Sequence, residues 1–108
     1  TLYFYEPNSF KLIRTVRAML DDEPVFNLNE LEWIEGKIWA NVWQSDQIVV
    51  IDPQSGAVTG TLDMTGLLPA SQRKGTEDVL NGIAYDPKTR RIFVTGKLWP
   101  KIFQIEVK

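Results

Sequence analysis

An internal repeat of about 50 residues is the feature that most constrains the fold of this 108-residue chain. The segment 29–33 aligns with 81–85, which lies 52 positions later, and both segments begin with Asn. The segment 38–43 aligns with 92–97, which lies 54 positions later. A repeat of this length built from several short strands is typical of a β-propeller, whose blades are four-stranded antiparallel sheets.

Composition and turn signals indicate that the repeated elements are strands. Val, Ile and Thr number 9, 9 and 8 against 5 Ala, and β-branched residues favour pleated sheet over helix. Short apolar runs alternate with turn signals that contain Pro, Gly or Asn, at 6–9, 35–37, 52–56 and 86–89. Short strands at even spacing predict an all-β fold.

The repeat predicts a partial propeller domain over 1–108, with about two and a half four-stranded antiparallel blades. Its parts are the end of one blade, a complete blade and three strands of a closing blade, at 1–16, 29–62 and 81–108. The four strands of the complete blade are expected at 29–35, 37–43, 47–52 and 57–62. Apolar residues on both faces of its middle strands predict that this sheet lies between two neighbouring sheets. Residues 17–28 and 63–80 are expected to connect the blades.

The absence of two residue types restricts the chemistry of the chain, which contains no His and no Cys. A Ser-His-Asp triad, a cysteine nucleophile and the commonest zinc ligands are therefore excluded. The net charge of −2 predicts neither a nucleic acid nor an anionic membrane as a partner. No apolar run approaches the roughly 18–20 residues of a transmembrane helix. Acid–base chemistry would have to use carboxylates, Lys or Tyr.

Aromatic residues are concentrated in the complete blade. Trp33 and Trp39 are expected in the core, because large rings fill the space between the blades of a propeller. Trp43 ends its strand and is followed by a polar run, so its ring either lines a pocket or packs in the core. The residues alone leave both alternatives open.

Three polar side chains also have a functional and a structural interpretation. Lys97 occupies the repeat position of Trp43, where apolar neighbours could desolvate its ammonium group or its head could reach water. Glu30 and Glu32 stand two apart, which on a regular strand places both carboxylates on one face, roughly 6.5–7 Å apart. That separation is near the range of glycosidase carboxylate pairs, although any such spacing on a strand produces it.

The sequence resembles the plant and bacterial type of glutaminyl-peptide cyclotransferase over essentially its whole length. The segments that carry the resemblance, in order and with similar spacing, are 29–33 (NELEW), 38–46 (IWANVWQSD), 78–86 (DVLNGIAYD) and 91–101 (RIFVTGKLWPK). The resemblance implies the C-terminal part of a five-bladed β-propeller, whose final blade is closed by a strand from near the N-terminus.

The resemblance also implies a reaction in which an N-terminal glutaminyl residue cyclises to pyroglutamate and releases ammonia. The expected substrate is a peptide or protein with N-terminal Gln, and no metal or other cofactor is implied. Activity is expected only together with the remaining blades, on the same or a separate chain, so that this portion alone would be inactive. The family's habit of export favours a secreted or periplasmic location.

By position, the resemblance implies three substrate-binding residues. Asn29 would hydrogen-bond in the pocket, Trp43 would form an aromatic wall, and Lys97 would belong to the polar network at the reacting centre. The principal acid–base Glu of the family lies in an early blade, so no catalytic residue is assigned within these 108 residues. A non-catalytic propeller that binds peptides or other ligands is the alternative function, and a glycosidase that uses Glu30 and Glu32 is a more distant one.

Overall fold

The computed structural model describes residues 1–43, 45–68 and 80–107, and these ranges contain eleven β-strands and no helix. The predicted all-β class is therefore confirmed for the described residues. Gln44, residues 69–79 within the predicted connection 63–80, and Lys108 lie outside those ranges. The strands are β1 (Leu2–Tyr5), β2 (Leu12–Val16), β3 (Met19–Leu20), β4 (Glu23–Pro24), β5 (Leu28–Ile34), β6 (Lys37–Val42), β7 (Gln47–Ile51), β8 (Val58–Asp63), β9 (Leu80–Asp86), β10 (Arg91–Gly96) and β11 (Phe103–Ile105).

Strands β5 to β8 form one four-stranded antiparallel sheet in chain order, as the repeat predicts. The tight turns between these strands use the predicted signals. Gly36 has φ +84° and Gly56 has φ +80°, conformations that glycine adopts without a steric penalty. Strands β1 and β2 form a two-stranded sheet, and β9, β10 and β11 form a three-stranded sheet.

The segment 17–28, expected to be only a connection, contains a short hairpin. Strands β3 and β4 pair through Met19 opposite Pro24 and Leu20 opposite Glu23. Met19 also forms a parallel bridge with Ala57, which ties the hairpin to the turn before β8. Two-residue strands produce no detectable alternation of apolar and polar residues, so the sequence pattern does not reveal them.

The four-stranded sheet is buried on both faces, as expected for a sheet between two neighbours. On one face Ile38, Ala40, Val49 and Ile51 pack with Leu2 of β1. On the other face Trp39 and Ile48 pack with residues of the three-stranded sheet, including Leu80 and Val94. Alternate residues of β6 and β7 therefore enter two different cores, which explains why both strands are apolar throughout.

The tryptophans of this sheet differ in burial. Trp39 is buried with 7% of its surface exposed, which confirms the core prediction, but Trp33 is 57% exposed and that prediction is wrong. Trp33 lies on β5 opposite Ile38, on the face that the β1–β2 sheet covers.

The described part of the chain has no helix with the length and apolar character needed to cross a membrane.

Candidate functional site

A β-bulge shapes the start of β5, where Asn29 lies. Asn29 is opposite Asn41, whereas Glu32 is opposite Trp39, so β5 contains one more residue than β6 over this stretch. Glu30 occupies the bulge with φ +51°, a left-handed conformation. The strand is therefore not regular between Glu30 and Glu32, and the carboxylate spacing calculated for a regular strand does not apply. The structure removes the geometric basis of the glycosidase alternative.

The next sheet has a bulge at the corresponding place. Val94 is opposite Ile83 and Gly96 is opposite Leu80, so the extra residue lies on β9, near Asn81 and Gly82. The sequence repeat that aligns Asn29 with Asn81 therefore repeats the β-bulge as well as the strands. Each first strand bends at its start, next to the end of its hairpin partner.

Side-chain amides join the two bulged strands. Nδ2 of Asn29 donates a hydrogen bond to Oδ1 of Asn81 at 2.9 Å, and the backbone N–H of Gly82 donates to Oδ1 of Asn41 at 3.0 Å. The pair Asn29–Asn81 is half-buried, whereas Asn41 is completely buried. These contacts place the starts of β5 and β9 side by side.

The starts of β5 and β9, with the amide contacts between them, form a junction of the two sheets. Trp43 follows the last residue of β6 and lies beside this junction. Its backbone N–H donates to the carbonyl of Asn27 at 2.8 Å, which ties the end of β6 to the residue just before β5. Its side chain is 50% exposed, so it is not part of the core of the described chain. A half-exposed indole is suited to forming the wall of a binding site.

Lys97 begins the turn that follows β10. The N–H of Trp99 donates to the carbonyl of Gly96 at 3.1 Å, and the Thr95 hydroxyl donates to the carbonyl of Lys101 at 2.7 Å. The indole of Trp99 lies directly against Gly96, where an added Cβ would be 2.0 Å from Cε2. These contacts give the turn a defined shape, and the side chain of Lys97 is exposed rather than enclosed by its apolar neighbours.

The topology brings the three predicted residues to the same end of two adjacent sheets. The start of β5, with Asn29, is beside the end of β6, which Trp43 follows. The start of β9 is likewise beside the end of β10, which Lys97 follows. Since Asn29 bonds to Asn81 at the start of β9, both sheet ends meet there. Their roles towards a substrate stay a prediction.

A cavity among the described residues lies at the opposite end of these sheets. It has a volume of about 540 Å³ and lies between Trp39 and Val50 on one side and Tyr85 and Ile105 on the other. An exposed ion pair between Arg90 and Glu35 is at its edge, with Nε of Arg90 2.7 Å from Oε1 of Glu35. The presence of a cavity therefore does not by itself identify the predicted site.

Carboxylates with displaced pKa values stabilise turns at that opposite end. The N–H of Gln54 bonds to Asp52 at 2.8 Å and is the largest cause of the lowered pKa of Asp52. The hydroxyl of Thr89 bonds to Asp86 at 2.7 Å and is the largest cause of the lowered pKa of Asp86. Both residues begin the Asp-Pro turns, and hydrogen bonds to the ionised form lower a carboxyl pKa. These shifts report turn formation.

Within residues 1–43, 45–68 and 80–107, no three His, Cys, Asp or Glu side chains are grouped so that they could hold a metal ion. The expectation of a reaction without metal or cofactor stays a prediction.

Two residues of the junction were not identified as functional candidates from the sequence, Asn41 and Gly82. The only sequence signal for Asn41 is a polar amide within the apolar strand 38–43, and Gly82 has no signal besides its position after Asn81. Their contact links residues 41 positions apart and depends on how two sheets are packed.

Known proteins share both the sequence and the fold of this chain. The family model for glutamine cyclotransferase matches residues 1–107. The chain is 44% identical over 110 residues to a glutaminyl-peptide cyclotransferase of Arabidopsis thaliana, in an alignment that covers 100% of the chain and 34% of that relative. The chain thus spans about a third of the length of this curated relative.

A solved structure is similar as well. The crystal structure of Myxococcus xanthus glutaminyl cyclase matches with a TM-score of 0.88 and 43% sequence identity, and the match covers 96% of this chain and 46% of that chain. The similarity therefore extends over nearly all of this chain and over less than half of the solved protein.

Proposed function

Because this chain belongs to the glutamine cyclotransferase family, we propose that the protein carrying it is a glutaminyl-peptide cyclotransferase that converts N-terminal glutaminyl residues to pyroglutamate. The observation that carries the proposal is the family match over residues 1–107. Asn29, Trp43 and Lys97 lie at one end of two adjacent sheets, which is the placement that a shared binding site requires.

The reaction requires a folded-back substrate and two proton movements. The α-amino nitrogen attacks the side-chain carboxamide carbon, a new C–N bond closes the five-membered ring, and the original C–NH₂ bond breaks. The amine loses a proton and the departing nitrogen gains one, so that neutral ammonia leaves. An enzyme accelerates these steps by holding the amine near the carbonyl, by stabilising charge on the carbonyl oxygen and by relaying the proton.

Asn29 is suited to orient the substrate. Its Nδ2 is held by Oδ1 of Asn81, which determines the direction in which its own Oδ1 points. A primary amide held in this way presents an acceptor of fixed direction for an N–H of the substrate's amine or carboxamide. Asn81 therefore acts through Asn29.

Trp43 and Lys97 supply the apolar and the charged parts of the site. The half-exposed indole of Trp43 provides a flat surface against which the methylene groups of a glutaminyl side chain can pack. The ammonium group of Lys97 carries positive charge that stabilises the developing negative charge on the carboxamide oxygen.

The test measures ammonia release from a peptide with N-terminal Gln by the full-length protein and by its Lys97→Ala and Trp43→Ala variants. Each substitution should lower kcat/KM by roughly tenfold or more, since it removes a group that touches the reacting residue. Lys101→Ala is the control for loss of an exposed Lys in the same loop, and Trp33→Ala is the control for loss of an indole of similar exposure (57% against 50%).

Two results would contradict the proposal in different ways. Unchanged ammonia release in both site variants would show that the site assignment is wrong. Tight binding of the Gln peptide by the unaltered protein without turnover would show that the protein is a peptide-binding propeller and not an enzyme.

A further inference from the structure

A buried polar side chain lies next to the proposed substrate-binding Asn29. Asn41 is 0% exposed and is the only buried polar or charged residue of the described chain. It is opposite Asn29 on β5 and opposite Ile48 on β7, within a strand whose other buried members are apolar. An apolar residue would suit this position better if packing were its only role.

The two polar atoms of the Asn41 side chain differ in their hydrogen bonding. Its Oδ1 accepts the N–H of Gly82, but its Nδ2 is buried and has no hydrogen-bond partner among the described residues. A buried donor without a partner destabilises the folded state by about 1–3 kcal/mol. The side chain is therefore poorly explained by stability, and its contact with Gly82 must serve another purpose.

That contact is one half of an arrangement that we call the asparagine clasp, which consists of Asn29, Asn41, Asn81 and Gly82. Asn29 bonds to the side chain of Asn81, while Asn41 bonds to the backbone of the next residue. Two adjacent strands of one sheet thus hold two consecutive residues of the bulge in β9. Two attachment points prevent the bulge from rotating about either one.

The next repeat has a different polar residue at the position of Asn41. Thr95 is the repeat equivalent of Asn41, and its hydroxyl donates to the carbonyl of Lys101 within its own sheet and following turn. The side chain of Asn41 is longer than that of Thr95 and reaches β9.

We infer that Asn41 is a positioning residue, which fixes the bulge of β9 through Gly82 and thereby sets the direction of the Asn29 amide. The inference rests on the proposed function, because the consequence for catalysis depends on Asn29 binding the substrate. Without the Asn41 contact, Asn81 can move with the loosened bulge, and the Asn29 acceptor loses its fixed direction.

The experiment compares Asn41→Leu, Asn41→Thr and Asn41→Asp in the full-length protein. Leu is apolar and similar in size but cannot accept the Gly82 N–H, and Thr is the residue of the equivalent repeat position but is too short. Both variants should lower kcat/KM for a Gln peptide by about tenfold to 100-fold, because misplacing a substrate-orienting group has effects of this size. The Gly82 amide should also exchange with solvent at least roughly tenfold faster, since it loses its acceptor.

Asn41→Asp provides the rescue. A protonated carboxyl group has nearly the shape of the amide and keeps an oxygen for Gly82, while burial favours the neutral form over the charged one. The activity of this variant relative to the unaltered protein should therefore rise as the pH is lowered. The relative activity of Asn41→Leu should not change with pH.

Ile48→Val is the matched control. Ile48 is fully buried beside Asn41, and its truncation destabilises the same region without removing a hydrogen bond from β9. Activity should be unaffected by this change when both proteins are fully folded. The inference is overturned if Asn41→Leu and Ile48→Val have equal kinetics, or if the Gly82 amide exchanges at an unchanged rate in Asn41→Leu.

The two proposals fail separately. Absence of cyclisation by the unaltered protein would refute the proposed function and with it the catalytic consequence of the clasp. Exchange of the Gly82 amide would still report directly on whether Asn41 holds the bulge.

Discussion

Replacing Gly96 with alanine tests whether the Trp99 indole determines the shape of the turn that carries Lys97. The added Cβ would lie 2.0 Å from Cε2, 2.1 Å from Nε1 and 2.5 Å from Cδ2 of Trp99. Ordinary van der Waals contact begins at about 3.4 Å, so the ring must retreat by about 1.4 Å. The φ of Gly96 is not in the left-handed region, so the steric contact is the only obstacle to alanine.

The expected cost follows from what the ring touches. Trp99 packs edge-to-face against Phe103, with ring centroids 6.2 Å apart and planes at 86°, and it borders the core that contains Val94. Overpacking such a position costs about 1–3 kcal/mol, and loss of an aromatic pair costs about 0.5–1.5 kcal/mol. We expect Gly96→Ala to lower the free energy of unfolding by about 2–4 kcal/mol and, because Lys97 is in the same turn, to lower kcat/KM as well.

The assay is urea denaturation of the full-length protein, followed by circular dichroism, in a double-mutant cycle with Trp99→Ala. Without the indole, Gly96→Ala should cost almost nothing, because alanine also reduces the entropy of the unfolded chain. Gly60→Ala is the control, since its Cβ would meet only Val50 atoms at 3.9 and 4.0 Å. Equal costs of Gly96→Ala with and without the indole would refute the steric argument.

Further predictions concern the turns between strands. Gly56→Ala should be far more destabilising than Gly36→Ala, although both residues have φ near +80°. A Cβ at Gly56 would be 2.1 Å from the carbonyl oxygen of Arg17, whereas a Cβ at Gly36 would meet nothing within 4 Å. Equal shifts of the melting temperature in the two variants would contradict this prediction. The lowered pKa of Asp52 contributes stability that is present above the carboxyl's unfolded pKa and is lost as the pH falls through the lower folded pKa. Asp52→Asn should therefore reduce the loss of stability on acidification, measured as unfolding midpoints from neutral to acidic pH, and identical profiles would show that the turn hydrogen bonds do not couple to protonation.

Much of the strand architecture follows from local sequence patterns. Alternation places Ile38 and Ala40 on one face of β6 and Trp39 on the other, and because both faces are apolar the strand must lie between two other layers. The Asp-Pro turns form where Asp side chains accept backbone N–H groups a few residues later, which is a local interaction. Such features depend on neighbours along the chain, so the sequence itself contains the information.

The predictions for Trp33 and for the spacing of Glu30 and Glu32 were wrong because the surroundings of these residues depend on a neighbouring strand or sheet. Whether Trp33 is covered depends on the sheet that packs on its face of β5, and no pattern within β5 contains that information. The bulge at Glu30 likewise changes the direction of two carboxylates that a regular strand would align.

The fold class, the repeat and the residue types available for chemistry can be read from the sequence, because alternation, turn signals and composition are properties of short segments. How those residues act together depends on contacts between sheets. The Asn29–Asn81 and Asn41–Gly82 contacts join residues 52 and 41 positions apart. They exist because two bulged strands from different sheets pack side by side, and the direction of a side chain across such a junction depends on both sheets at once.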